Sequence, residues 1–248
     1  MKLICAKDYK GMCRQAANIL SAQLIIKPDS VLGLATGSTP VGIYAQLIDW
    51  YNKGDLSFAE ASSVNLDEYQ GLAPDHPQSY RYFMQHHLFD HVDMRPEATH
   101  VPNGLADDSD AECKRYNQVI RSMNGVDLQL LGVGHNGHIA FNEPGEAFEL
   151  ETHLVPLAPT TVEANKRFFD SVDDVPTHAY SMGVKSIMSA KKILLMVSGK
   201  DKAAVLAKAF SGPVTPEIPA SVLQLHPNVV IVGDHDALHL LMEQGGVE

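Results

Sequence analysis

Short apolar runs alternate along the chain with longer stretches in which apolar residues recur every three to four positions. "VLGLAT" (31–36) predicts a buried strand. The following "TPVGIYAQLIDWYNKG" puts Ile43, Leu47 and Ile48 on one face and stops at Gly54, which predicts a helix. "SSVNLDEY" (62–69) predicts the next strand and its exit, and "SYRYFMQHHLFDHV" and "DAECKRYNQVIRSM" predict helices. "VDLQLLGV" (126–133) and "KKILLMVS" predict two more strands, and "DKAAVLAKAF" a helix between the last of these and the late strand "NVVIVGD". "DALHLLMEQGG" predicts a terminal helix with a glycine stop. Strand–helix alternation of this kind predicts an α/β fold: a single open, mostly parallel sheet with helices on both faces, Rossmann-like and doubly wound. No fixed-period repeat appears and no linker divides the chain, so one domain is expected over residues 1–248. From Gly145 to about Ala179 the periodicity weakens and prolines accumulate; this segment, 145–179, reads as a subdomain or lid.

Composition narrows the function classes. With 248 residues and 45% hydrophobic content the chain can bury a large core without staples. The formal net charge of -11 argues against a nucleic-acid partner, which needs a basic face. It leaves room for one small phosphorylated substrate, since a few cations and backbone N–H groups suffice for a phosphate. The three cysteines, Cys5, Cys13 and Cys113, form neither a disulfide framework nor a C-x-x-C knuckle. No uninterrupted apolar stretch is long enough to span a membrane, and "MKLICAKDYKGMCRQ" lacks the apolar core of a signal peptide. A cytoplasmic enzyme is the expected class.

Ligands of open α/β sheets sit beyond the carboxyl ends of the strands, which singles out three stretches. "ATGSTP" (35–40) is a small turn in which Pro40 suits the first helical position and Ser38 or Thr39 the N-cap. It offers hydroxyls and free N–H groups to a phosphate, or is an ordinary capped turn. "NLDEY" (65–69) carries adjacent carboxylates, Asp67 and Glu68, of which at most one can face a given pocket if the strand continues that far. One of them is a candidate base, or both are solvated loop acids. "GVGHNGHIAFNEPG" (132–145) contains G-x-G-x-x-G, but Asn-Glu-Pro-Gly follows where a dinucleotide site needs a helix, and Glu149 and Glu151 come too early for the ribose acid with no strand clearly carrying them. His135 and His138 with Glu143 make a poor metal set because glycine interrupts the helix that would align them. An imidazole–carboxylate pair is the more economical reading, with His135 as an exposed turn residue.

Together, "LGLATGSTP", "NLDEYQGL" with "HPQSY", "GVGHNGHIAFNEPG", "ANKRFF" and "IPASVLQLHPNVVIV" are similar in kind and order to one family. The chain resembles the glucosamine-6-phosphate deaminases (isomerising), in the short Gram-positive-type form of the glucosamine/galactosamine-6-phosphate isomerase family. The resemblance runs from near residue 31 to near residue 232. It implies conversion of D-glucosamine 6-phosphate and water to D-fructose 6-phosphate and ammonia, with no cofactor and no metal. By that resemblance Asp67 is the base at C2, His138 opens the ring, and Glu143 with Asn136 orients the imidazole. Thr36, Gly37, Ser38 and Thr39 form the phosphate loop, which Arg167 and Lys202 complete. Some members carry aspartate where this chain has Asn136, which leaves that residue's role open. The segment after "NEP" reads "GEAFELETHLVPL" and lacks the basic residues with which the long, hexameric form binds its activator; a monomer or small homo-oligomer is implied. The competing readings are a galactosamine-6-phosphate deaminase and a 6-phosphogluconolactonase.

Overall fold

The computed structural model describes residues 1–157, 162, 163, 166, 169, 171 and 174–245. In chain order the regular elements are β1 (Lys2–Ala6), α1 (Tyr9–Ile26), β2 (Val31–Leu34), α2 (Val41–Asn52), β3 (Ser62–Asn65) and β4 (Asp67–Tyr69). They continue with α3 (Tyr80–His87), β5 (Thr99–His100), α4 (Ser109–Ser122), β6 (Leu128–Leu131), β7 (His153–Pro156) and β8 (His178–Ser181). The last are α5 (Val184–Met188), β9 (Ile193–Val197), α6 (Ala203–Ser211), β10 (Val229–Asp234) and α7 (His235–Glu243). Seven strands form a sheet in the order β1-β10-β9-β6-β2-β3-β5, with every pairing parallel. From β2 the chain steps outward to β3 and β5, then jumps back to β6 and proceeds the other way. Right-handed crossovers put helices on opposite faces when that direction reverses. Accordingly α1 packs on α2, and α6 packs on α7, as two separate pairs.

Strands β2, β6 and β9 are buried at every position, which is why they read as unbroken apolar runs. The helices start where the sequence supplies caps: Asp8, Ser79, Asp108 and Asp234 each accept a backbone N–H from the first turn that follows. The edge strand β1 and helix α1 were not among the predicted elements. β1 is largely uncovered and has no clean alternation, whereas α1 buries Met12, Cys13, Ala16, Ala17, Leu20 and Leu24 on one face.

Two expectations need correction. Pro40 is itself the N-cap of α2, and neither Ser38 nor Thr39 caps the helix with its side chain. The cause is Tyr9 at the start of α1. Its hydroxyl accepts the Gly42 N–H at 3.2 Å, the donor a capping side chain would have taken, and donates toward the carbonyls of Ser38 and Thr39 at 3.2 and 3.1 Å. The second correction is that the exit of "SSVNLDEY" is itself a strand. β3 lies in the main sheet and β4 in a second, three-stranded antiparallel sheet, β4-β8-β7. Leu66 is the joint between them: its N–H donates to the Leu34 carbonyl and its carbonyl accepts from Met182. Segment 145–179 supplies β7 and the start of β8; its positions 158–161, 164, 165, 167, 168, 170, 172 and 173 lie outside the described residues.

Candidate active site

The strand order reverses between β2 and β6, and a cleft of about 530 Å³ opens beyond the carboxyl ends there. The loop after β2 contributes Thr36, Gly37, Ser38 and Thr39, and the exit of β3 contributes Asp67. The loop after β6 contributes His138, and the loop after β9 contributes Lys202. Of the residues that sequence reasoning selected, these seven line one cavity. The turn at 36–39 offers its own backbone N–H groups and hydroxyls to an anion, while in the first turn of α2 the N–H groups of Gly42 and Ile43 are taken by the Tyr9 hydroxyl and the Pro40 carbonyl. Lys202 is half-buried, and burial lowers its pKa against the opposing pull of Asp201.

Asp67 is 7% exposed. Among the described residues no hydrogen bond to its carboxyl is made, and burial first, then the Glu68 charge, pushes its pKa up to about 8. A carboxyl so placed is a weak acid in the resting protein and, once ionised, an unusually strong base. Glu68 points to the other face of β4, as strand alternation requires. Each of its oxygens accepts two bonds: Oε1 from the N–H groups of Tyr69 and Tyr80, Oε2 from the Ser79 hydroxyl and the Arg81 N–H, all at 2.8–2.9 Å.

His138, Asn136 and Glu143 form a closed triangle. Nδ1 of His138 lies 2.8 Å from Oδ1 of Asn136 and 3.1 Å from Oε1 of Glu143, and Nδ2 of Asn136 donates to Oε2 of Glu143 at 2.6 Å. The Asn136 oxygen also accepts the His138 backbone N–H at 3.2 Å. That pair of contacts fixes the amide's orientation, since a flip would set its NH₂ against an N–H and its oxygen against a carboxylate. With two acceptors at Nδ1, the neutral imidazole carries its proton there and keeps the lone pair on Nε2. Burial raises the Glu143 pKa, but the hydrogen bonds and charge of His138 and the Asn136 amide outweigh it, so the net shift is downward. The carboxylate stays ionised and orients the ring. Asn136 therefore joins the two by hydrogen bonds, donating to one and accepting from the other.

The glycines of this loop are scaffold. Gly137 sits at φ +90°, and a Cβ on Gly134 would lie 2.2 Å from the His138 ring. Gly134→Ala is expected to displace the imidazole and lower kcat about a hundredfold while the melting temperature changes little; unchanged turnover would show that ring placement is immaterial.

His135 is exposed, as expected, but its Nδ1 meets Asp201 Oδ2 at 3.0 Å and bridges the loops after β6 and β9 at the cleft mouth. Arg167 lies outside the described residues. Sequence reasoning missed Tyr80, which lines the cleft together with Asp67. Its ring stacks on Phe141 with centroids 6.2 Å apart and lies 4.8 Å from Tyr69. The available signal was Ser79, whose capping role places the next residue at a helix start. It also missed Asp234, which caps α7 and also accepts bonds from the Ser198 hydroxyl and the Gly199 N–H, bracing the loop that carries Lys202. Among the described residues no three His, Cys, Asp or Glu side chains are grouped to hold a metal ion, and no helix is long and apolar enough to cross a membrane.

The family model for glucosamine-6-phosphate isomerases/6-phosphogluconolactonase matches residues 8–232. The chain belongs to this family. Within the family it is 59% identical over 232 residues to the glucosamine-6-phosphate deaminase of Lachnoclostridium phytofermentans, covering 94% of this chain and 98% of that protein. It is 52% identical over 241 residues to the glucosamine-6-phosphate deaminase of Clostridium perfringens, covering 97% and 100%. A solved structure of a monomeric glucosamine-6-phosphate deaminase superposes with a TM-score of 0.92 at 46% identity, covering 97% of this chain and all of the other. The 6-phosphogluconolactonase of Trypanosoma brucei shares the family fold at a TM-score of 0.75 and 15% identity, which establishes likeness of fold alone.

Proposed function

We propose that the chain is an aldose–ketose isomerase and deaminase that converts D-glucosamine 6-phosphate and water to D-fructose 6-phosphate and ammonia. The observation that carries this reading is a buried carboxyl, Asp67, with no hydrogen bond among the described residues, in the same cleft as an oriented imidazole and a hydroxyl-rich turn. The phosphate sits at Thr36–Thr39 with Lys202, and Arg167 is assigned to the same group by its place in "NKRFF". His138, through Nε2, takes the proton of the anomeric hydroxyl and delivers it to the ring oxygen, opening the sugar to its aldehyde. Asp67 removes the proton from C2 while O1 takes one from water, giving an enolamine, and then returns its proton to C1 as the nitrogen gives one up to water. The product is an imine at C2. Water adds to that carbon, the C–N bond breaks, and ammonia leaves with the ketone formed. No electrons leave the carbon skeleton, so a proton-transfer set is sufficient.

The close similarity to deaminases over nearly the whole chain supports the glucosamine substrate, and the monomeric state of the solved deaminase supports a monomer or small oligomer here. The test is ammonia release from the 6-phosphates of glucosamine, galactosamine and N-acetylglucosamine in parallel. Glucosamine 6-phosphate is expected to give at least tenfold the kcat/KM of its C4 epimer, about the worth of one well-placed polar contact, and the N-acetylated sugar no ammonia. A faster galactosamine reaction would reassign the substrate, and no ammonia from any of them would reject the reading.

A further inference from the structure

We infer that Glu68 is a positioning residue for this reaction: it ties β4 to the first turn of α3, sets Tyr80 against the base, and holds a fixed negative charge behind Asp67. The inference rests on Asp67 as the base. It starts from the contrast between two adjacent carboxyls on one short strand. Asp67 faces the cleft with no hydrogen bond among the described residues, whereas Glu68 is 2% exposed and saturated with donors. Three of its four bonds come from consecutive residues, Ser79, Tyr80 and Arg81, at the head of α3. The helix head and a network made only of donors favour the ionised form, opposing the burial that leaves the Glu68 pKa raised.

The geometric consequence falls on Tyr80. Its backbone N–H is held by Glu68, while its ring lines the cleft beside Asp67, packs on Tyr69 and Phe141, and donates its hydroxyl to that of Tyr69 at 3.2 Å. One carboxylate thus fixes the wall that dries the base. The titratable groups around the pair are Tyr80 and Arg81 from α3, Tyr116 from α4, Tyr180 opposite Glu68 on β8, and His138 across the cleft. Within the pair itself, the Glu68 charge opposes ionisation of Asp67.

Two substitutions separate charge from reach. Glu68→Gln keeps the length and removes the charge; the acid limb of kcat/KM against pH is expected to move down by about one unit. Glu68→Asp keeps the charge but falls one methylene short of α3; the limb is expected to stay in place while KM rises about tenfold as Tyr80 shifts. A merely structural residue would lower the melting temperature of both variants without moving the limb, and an unmoved limb in Glu68→Gln overturns the inference. Should Glu68→Gln fail to fold, Ser79→Ala removes one donor and leaves the charge; it must raise KM without moving the limb, and an unchanged KM overturns the inference. Asp67→Asn, run beside them, tests the underlying reading separately: retained turnover there removes Asp67 as base, whatever the Glu68 variants do.

Discussion

Replacing Asp67 with asparagine is expected to lower turnover by about 10³- to 10⁴-fold, the upper range for loss of a general base, with substrate binding largely intact. The amide preserves the size of the side chain but has no oxygen able to take a proton from C2. The same change is expected to stabilise the protein at alkaline pH. Asp67 has its pKa raised by burial and the Glu68 charge from 3.8 to about 8. The folded state therefore holds a proton that the unfolded state releases near pH 4. What the carboxyl contributes to stability is complete below pH 4 and is lost as the pH rises through 8. Asparagine does not titrate, so the difference in melting temperature between variant and parent should widen from pH 5 to pH 8 and level off above it. The full cost of the buried charge is on the order of 5 kcal/mol. In the parent, kcat/KM should climb with pH toward a limb near 8, because only the ionised base reacts. Turnover within tenfold of the parent, or a melting difference that ignores pH, would contradict this account.

That Asp67 is both a poor fit to its surroundings and a good base explains how the site was and was not legible in the chain. Strands β2, β6 and β9 are wholly buried, so the physics that makes them core also makes them read as apolar runs. The loops that follow them are where a parallel sheet must place a ligand, and 36–39 and 132–143 are recognisable by their glycines and polar side chains. β4 is different. It is three residues long, two of them acidic, and it pairs in a separate antiparallel sheet with β8, more than a hundred residues away. Neither its existence nor the orientation of Asp67 follows from local pattern; both depend on Leu66 handing the chain from one sheet to the other. Tyr80 was hidden for a related reason: its ring belongs to the cleft only because Glu68 seizes its backbone. Likewise the capping role expected of Ser38 or Thr39 yields to Tyr9, whose reach across the chain leaves no mark on the turn itself.

His138→Gln is the second substitution with a large expected effect, and it separates ring opening from the proton transfer at carbon. The imidazole is oriented by two acceptors at Nδ1, at 2.8 and 3.1 Å, which makes Nε2 the atom that exchanges protons with substrate. Glutamine keeps a polar side chain in the cleft but has no nitrogen that both accepts and releases a proton near neutral pH. Turnover of the pyranose should fall about 10²- to 10³-fold, the worth of one acid–base group, because the enzyme must then wait for the ring to open unaided. Affinity for an open-chain amino-alditol phosphate, which has no ring to open, should change little, since the phosphate loop and Lys202 are untouched. Solvent exchange at C2 of substrate that has already opened still depends on Asp67 and should persist in His138→Gln while vanishing in Asp67→Asn. If the open-chain ligand loses affinity as steeply as the pyranose loses turnover, His138 binds rather than opens the sugar. The Asn136–Glu143 hydrogen bond would then serve to hold a contact instead of a proton shuttle.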